Sequence, residues 1–136
     1  MAEIRYLSVA EVLALHQAMM EKFGLAPAPL REEGFLESAI MRPRMAAHYS
    51  EADIIRQAAL LAVGISQAQA FLDGNKRTAF AACDVFLRLN GLVFAGDPIR
   101  LAMQLEAVAE RIGDLDETTG RFEEWLREQV SPLDES

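Results

Sequence analysis

The stretch Phe71-Leu72-Asp73-Gly74-Asn75-Lys76-Arg77 places a glycine turn between two apolar, helix-forming segments. The first amides of a helix have no intrahelical acceptors, and the helix dipole adds positive potential there, so such an end binds anions. Gly74 lets the backbone approach a phosphate, Lys76 and Arg77 add positive charge, and Asp73 offers a carboxylate to Mg²⁺. The stretch therefore predicts a phosphate-binding loop. An ordinary surface turn is the alternative, because Asp-Gly-Asn-Lys is also a good turn sequence.

The two cations of this loop, Lys76 and Arg77, stand out because the chain as a whole is acidic. The protein has 136 residues, a net charge of −8 and a pI of about 4.7. Residues 1–96 carry a net charge of −1 and residues 97–136 carry −7. This balance argues against general nucleic-acid binding, for which a basic face supplies most of the affinity. The acidic final third is interpreted as a solvated helix face, or alternatively as a docking surface for a basic partner segment.

Helical patterning extends along most of the chain. A capping box at residues 8–11 opens a first helix, and Gly24 ends it. The segment Ile54 to Ala68, preceded by a cap at residues 50–53, is apolar on more than one side, which predicts a central, buried helix. The other helices are predicted at Glu33 to Met41 with a break before Pro43, Asn75 to about Leu89, Pro98 to Ile112 with closure at Gly113, and about Thr119 to Val130.

The pattern between these helices predicts little else. Residues 92–94 are expected to form a short extended piece, and residues 131–136 a frayed tail. No persistent period-two alternation is present, so the fold class is all-α. We expect one domain over residues 1–136, a compact bundle of about six helices with the loop between two central ones.

Cysteine usage and apolar runs bear on the compartment. Cys83 is the single cysteine, which excludes an internal disulfide and is consistent with a reducing cytoplasm. The N-terminus lacks the apolar core of a signal peptide, and no apolar run approaches the roughly 20 residues of a membrane span. A cytoplasmic protein is therefore expected.

The loop and its surroundings resemble the Fic/Doc family. The family signature reads His-x-Phe-x-Asp/Glu-Gly-Asn-Gly/Lys-Arg, and this chain matches it at Phe71 and at residues 73–77. The segments 30–39 and 86–91 are also similar to Doc proteins, and the resemblance covers about residues 4–130. It implies a Fic/Doc-like bundle. It also implies that Phe71 supports the motif, that Asp73 holds Mg²⁺, and that Gly74, Asn75, Lys76 and Arg77 bind the nucleotide.

Two positions resemble the death-on-curing (Doc) toxins more than the AMP-transferring Fic enzymes. Fic enzymes usually have Gly at the position of Lys76 and a second Arg at that of Phe80, so AMP transfer is disfavoured. Doc toxins resemble kinases that transfer the ATP γ-phosphate to a hydroxyl of translation elongation factor Tu and stop translation. The resemblance thus implies ATP and Mg²⁺ as cofactors, elongation factor Tu as target, and a Phd-like antitoxin as partner.

The chain departs from the signature at Gln69, where the family has its catalytic His. An amide cannot accept the proton of a target hydroxyl as an imidazole does, so activity is expected to fall by about 10²–10⁴-fold. Three explanations remain open. The chain is a weakened natural relative that still binds nucleotide or antitoxin, an inactivated variant of a toxin, or an enzyme in which Gln69 only positions the hydroxyl. On the resemblance, the catalytic set is Gln69, Asp73, Lys76 and Arg77.

Three further residues are candidates for a target or antitoxin groove: His16, Arg31 and His48. Each also has a structural interpretation. His16 lies beside the apolar stripe of the first helix and suits a packed histidine. Arg31 suits an ion pair with Glu37, and His48 suits an exposed turn.

Overall fold

Six helices and a two-stranded ribbon form the fold in the computed structural model, which describes residues 3–26, 28–110 and 114–133. The helices are α1 (Val9–Lys22), α2 (Glu33–Ser50), α3 (Ile54–Ala68), α4 (Asn75–Leu89), α5 (Pro98–Ala109) and α6 (Leu115–Glu128), and the strands are β1 (Leu92–Phe94) and β2 (Val130–Pro132). The all-α fold class is confirmed, since the ribbon has only three residues in each strand. No described helix has both the length and the apolar character needed to cross a bilayer.

Helix α3 lies at the centre, as its sequence pattern predicts. It packs against α2, α4, α5 and α6, and its side chains are buried on more than one side. Gly64 lets α3 pack closely against α2, because a Cβ at this position would lie only 3.3 Å from the Cβ of Ala39 on α2. The bounds of α3 and α4 agree with the sequence prediction. The loop that joins these two helices is therefore anchored at both ends in the core.

Helix α2 differs from its prediction, because it continues through Pro43 to Ser50. A proline inside a helix removes one hydrogen bond and costs about 3 kcal/mol. Pro43 is buried in the described fold, and the residues on either side of it keep α2 packed along α3. Burial of this face offsets the cost of the proline, so the predicted break was wrong. The helix ends instead at Glu51, whose φ of 54° is left-handed.

Both helices of the C-terminal third depart from the prediction. Helix α5 ends at Ala109, and the predicted stop at Ile112 and Gly113 falls outside the described residues. Helix α6 begins at Leu115 rather than near Thr119, because Asp114 caps it by accepting a hydrogen bond from the amide of Asp116 at 2.8 Å.

The predicted frayed tail is wrong over residues 131–133. Strand β2 pairs antiparallel with β1, with Val93 opposite Ser131, and the amide of Leu133 donates to the carbonyl of Gly91 at 2.9 Å. The residues of β1 and their partners in β2 are 36 to 40 positions apart in the sequence, so no local sequence pattern predicts the pairing. Residues 134–136 lie outside the described part of the chain.

Candidate phosphate-binding site

The N-terminus of α4 differs from those of the other five helices. Each of the others has a side-chain oxygen that accepts a hydrogen bond from a backbone amide of the first turn, supplied by Ser8, Glu32, Asp53, Asp97 and Asp114. Helix α4 begins after Gly74, at φ 84°, and has no side-chain cap and no acid in its first turn. Lys76 and Arg77 stand there instead, although cations are unfavourable at the positive end of a helix. This arrangement suits a bound anion.

The Asn75 side chain holds the loop in shape. Its Nδ2 donates to the Phe71 carbonyl at 2.9 Å, and its Oδ1 accepts from the Phe71 amide at 3.1 Å. Both residues are buried. Asn75 was predicted to bind the nucleotide, but its side-chain amide bonds the Phe71 backbone, so its backbone N–H at the start of α4 is the group that suits an anion. The Phe71 side chain is 2% exposed, and its role in supporting the motif stays a prediction.

His16 on α1 lies beneath the loop. Its ring stacks on that of Phe71, with the ring centroids 3.7 Å apart and the planes 5° apart, and its Nε2 lies 2.9 Å from the carbonyl oxygen of Asp73. A Cβ at Gly74 would lie 2.7 Å from Sδ of Met20 and 3.2 Å from Nε2 of His16, so a larger residue would have to displace the Met20 side chain as well as adopt a strained φ of 84°. His16 is 3% exposed and does not line an open groove, which departs from the groove prediction.

The motif side chains surround a cavity of about 440 Å³ at the entrance of α4. This volume lies within the range of small-molecule sites. Its lining consists of Gln69, Leu72, Asp73, Gly74, Asn75, Lys76, Arg77 and Ala102. The predicted catalytic and nucleotide-binding residues therefore meet at one place, and their roles stay predictions.

The two cations of the cavity have partners in this conformation. Lys76 Nζ lies 2.9 Å from Oε1 of Glu106 on α5, and the Arg77 guanidinium lies 5.0 Å from the centre of the Phe23 ring. The side chains of Lys76 and Glu106 are 42% and 54% exposed, so this ion pair is weak and easily exchanged for a phosphate. The sequence analysis missed Glu106, because it lies 30 residues from Lys76 with no motif of its own.

Gln69 closes α3 at the rim of the cavity. Its backbone is left-handed, with φ 52° and ψ 39°, and its side chain is exposed. The side-chain Nε2 donates to the Ser66 carbonyl at 3.0 Å. The position predicted for the proton acceptor therefore does face the cavity, but its amide nitrogen is turned back toward α3.

Of the remaining groove candidates, Arg31 lies near the site and His48 does not line the cavity. The Arg31 amide donates to the Ala70 carbonyl at 2.6 Å, and its guanidinium donates to the Gln69 carbonyl at 3.3 Å. Arg31 forms no ion pair with Glu37 among the described residues, contrary to the structural interpretation. His48 is exposed on the last turns of α2, edge-on to Tyr49, rather than in a turn.

The donor set at the loop suits a metal bound jointly with phosphate. Asp73 is exposed, and its Oδ1 accepts from the Gly74 amide at 2.8 Å, which leaves Oδ2 available. Within residues 3–26, 28–110 and 114–133, no group of three His, Cys, Asp or Glu side chains forms a metal site by itself. Mg²⁺ is commonly coordinated by one or two carboxylates together with phosphate oxygens and water. The Asp73 carboxylate beside the N-terminus of α4 is compatible with this coordination.

A second, more apolar hollow of about 260 Å³ adjoins the first and shares Lys76 and Arg77 with it. It lies between α1, α4 and α5, and its wall includes Met19, Phe23 and Ile99. Phe23 and Ile99 are 54% and 70% exposed and lie together in this hollow, so it presents an exposed apolar surface beside the two cations. The sequence analysis missed this hollow, because its wall is assembled from three helices.

Comparison with known proteins agrees with the loop geometry. Residues 6–87 match the sequence model of the Fic/DOC family, a span that runs from the segment before α1 to the last turn of α4. The chain belongs to the Fic/DOC family. This family match contains the loop, the buried His16 and the whole of the central helix α3.

Two curated relatives refine the place of the chain within the Fic/DOC family. "Protein kinase doc" of Escherichia phage P1 is 32% identical over 96 residues, which are 70% of this chain and 75% of that protein. "Toxin Doc" of Mycolicibacterium smegmatis is 36% identical over 91 residues, which are 64% of this chain and 70% of that protein. Together with the family match, these relatives assign the chain to the Doc toxin branch.

Proposed function

We propose that this Doc-type protein binds Mg²⁺–ATP at the entrance of α4 and is built to transfer the γ-phosphate to a hydroxyl of translation elongation factor Tu. The observation that carries the proposal is the uncapped helix end, where two cations and one carboxylate surround a cavity of about 440 Å³. The name of the phage P1 relative, "Protein kinase doc", supports the reaction class.

The residues of the loop have separate tasks in this proposal. The first amides of α4, with Lys76 and Arg77, hold phosphate oxygens and offset their charge. Asp73 holds Mg²⁺ through Oδ2, while Oδ1 keeps its bond to the Gly74 amide. Phosphoryl transfer has a loose transition state, so alignment and charge compensation supply most of the catalysis. Such a cradle needs little covalent chemistry from the protein.

Gln69 limits the reaction at the proton transfer. Its carbonyl oxygen can accept a hydrogen bond from the target hydroxyl and orient it, but has negligible basicity. The proton must then leave to solvent or to phosphate, and the rate falls by about 10²–10⁴-fold relative to a histidine base. We therefore propose a kinase that keeps its nucleotide-binding site and is impaired only at the position of the catalytic base, Gln69.

Restoring the base tests the reaction directly. Gln69→His is expected to raise phosphate transfer to elongation factor Tu by about 10²–10⁴-fold, measured by mass spectrometry of the factor and by growth arrest on expression. Gln69→His combined with Asp73→Ala is the matched control and should remove the gain. Absence of any phosphorylated factor with folded Gln69→His protein that binds Mg²⁺–ATP would overturn the kinase assignment.

A Phd-like antitoxin is the partner we propose for this chain. Both curated relatives are named Doc, and one is named a toxin. The apolar hollow beside Arg77 has exposed Phe23 and Ile99 and a basic rim, which suits an amphipathic segment with acidic flanks. Binding of such a segment there would also cover the entrance of α4.

A binding module without chemistry is the second candidate, and the side-chain arrangement favours it at two positions. Gln69 is turned back to Ser66, and Lys76 is paired with Glu106. In this case the protein binds nucleotide or antitoxin and transfers nothing. Tight antitoxin binding without phosphate transfer by Gln69→His protein would support it. AMP transfer is disfavoured, because Phe80 packs edge-on against Phe94 where a second cation would be needed.

A further inference from the structure

His16 is a buried polar residue that joins α1 to the loop from 57 positions away in the sequence. Its Nε2 lies 2.9 Å from the Asp73 carbonyl oxygen, which can only accept a hydrogen bond. The Nε2 atom therefore carries a hydrogen and acts as the donor. A buried donor with such a partner is a specific constraint, because breaking the bond leaves the buried Nε2–H of His16 without an acceptor.

The partner of His16 is one half of a single peptide group. The carbonyl of Asp73 and the amide of Gly74 belong to the same planar unit. The carbonyl end accepts from His16 Nε2, and the amide end donates to Asp73 Oδ1 at 2.8 Å. Rotation of this peptide plane would break both bonds together. His16 thus fixes the direction in which the Gly74 N–H points, and that N–H fixes the Asp73 carboxylate.

Glycine at position 74 permits such a rotation, so the orientation of the Asp73–Gly74 peptide group needs a further constraint. Its φ of 84° is open to glycine at little cost, and glycine also populates the opposite sign of φ. Two packing contacts restrict the loop sterically: the His16 ring stacks on Phe71, and the Met20 side chain packs against Gly74. The Nε2–H bond of His16 acts on the orientation of the peptide group itself, and within the described residues it is the bond that reaches this group from another helix.

We infer that His16 is a positioning residue, which orients the peptide group between Asp73 and Gly74 and thereby aims the Asp73 carboxylate at the metal–phosphate site. The metal part of this inference rests on the proposed function. The orientation of the peptide group does not, and the two are measured separately.

Two substitutions separate the hydrogen bond from the packing. His16→Phe keeps a ring to stack on Phe71 and removes the donor, while His16→Gln keeps an N–H donor and removes the ring. Met20→Leu is the matched control, because Met20 packs under Gly74 from the same helix and makes no hydrogen bond to the loop. Thermal unfolding establishes that each variant is folded, and His16→Met replaces the Phe variant if that one is not.

The first readout is the affinity for ATP with Mg²⁺ and with a chelator, by calorimetry. In His16→Phe, the gain in ATP affinity that Mg²⁺ provides is expected to be about tenfold smaller than in the parent, because one hydrogen bond aims the carboxylate. The ATP affinity measured with the chelator should hardly change. His16→Gln and Met20→Leu should keep the gain within about threefold. A merely structural role would lower both affinities alike in His16→Phe and would overturn the inference.

The second readout is amide hydrogen exchange at Gly74, which needs no nucleotide. His16→Phe should accelerate exchange at Gly74 by about tenfold relative to the parent, because the peptide group is released. Unchanged exchange in folded His16→Phe protein would contradict the inference. Failure of the parent to bind Mg²⁺–ATP would instead contradict the proposed function, and the exchange measurement would still decide the role of His16.

Discussion

The N-termini of the two packed helices α3 and α4 are built in opposite ways. Helix α3 begins at Asp53, whose Oδ1 accepts from the Arg56 amide at 2.9 Å and whose carboxylate is paired with Arg127 on α6 at 2.8 Å. Helix α4 begins at Gly74, has no side-chain cap, and carries cations in its first turn. The cap on α3 pairs a backbone amide and the positive helix end with a carboxylate of the protein itself. The start of α4 instead places the positive charges of Lys76 and Arg77 at the positive end of the helix dipole.

The difference separates a helix end that is capped within the protein from one that is left available to a ligand under the proposed function. An acidic cap on α3 satisfies a backbone donor and the helix dipole at once. The same residue type is available to α4 at Asp73, but its Oδ1 bonds the Gly74 amide, one position too early to cap the first turn. The unsatisfied end of α4 is stable because its loop is held from beneath, by Asn75 and His16.

Gly74→Ala should have the largest effect on this comparison. A left-handed alanine costs about 1–2 kcal/mol, and the contact with Met20 adds overpacking, so we expect a loss of about 4 kcal/mol in the free energy of unfolding. Displacement of the loop should weaken Mg²⁺–ATP binding by about a hundredfold. Gly91→Ala is the control, because Gly91 also has a φ of 84° but nothing within 4 Å of an added Cβ. Equal losses in the two variants would contradict the steric argument.

Asn75→Ala should come next. It leaves the buried N–H and C=O of Phe71 without partners, which predicts a loss of about 2–3 kcal/mol and a large fall in nucleotide affinity. Asn90→Ala removes a similar reciprocal pair of bonds to the backbone of Arg5, far from the cavity and more exposed. It should cost about 1 kcal/mol in denaturant unfolding and leave calorimetric ATP affinity unchanged. A fall in affinity for Asn90→Ala would show that both asparagines act through global stability alone.

Glu106→Gln should have a smaller effect, and in the opposite direction. Release of Lys76 from its ion pair is expected to raise ATP affinity by up to about fivefold at low salt, since an exposed pair is worth no more than about 1 kcal/mol. Glu110→Gln makes the same change of net charge at the end of α5, where no ion pair is formed among the described residues. A similar rise in both variants would indicate a general charge effect instead of competition for Lys76.

Arg127→Ala should have the smallest effect and should act on stability alone. The hydrogen bond from Arg127 lowers the pKa of Asp53 below its ordinary value of 3.8, so the pair stabilises the fold above that pH. The stabilisation is lost as pH falls below about 3.8 through the folded-state pKa. Acid titrations of unfolding should show this loss in the parent and less of it in Arg127→Ala.

The control for this prediction lies on the same helix. Arg121 is exposed on α6 and makes no ion pair in the described parts of the chain, so Arg121→Ala should leave the acid profile unchanged. The Asp53–Arg127 side chains are 56% and 44% exposed, which limits the effect at neutral pH to roughly 0.5 kcal/mol and makes it fade with salt. A change in ATP affinity for Arg127→Ala would contradict the division between the two helix ends.

The helices nearest the site follow local rules and were predictable. Apolar periodicity and the turn at 73–74 delimit α3 and α4 with the bounds that the structure has. The prediction failed where distant residues decide. Helix α2 passes Pro43 because α3 packs against it, and residues 131–133 are ordered because β1 offers them hydrogen-bond partners.

By itself, the sequence determined the all-α class and the position of the loop at residues 71–77, and it revealed Gln69 at the place of the family histidine, because glycine, capping residues and charge affect only the residues a few positions away. The tertiary structure alone decided how the loop is held. His16 meets Asp73 across 57 residues, and Glu106 meets Lys76 across 30. Such contacts depend on how helices pack, and helix packing depends on the whole core rather than on any local stretch.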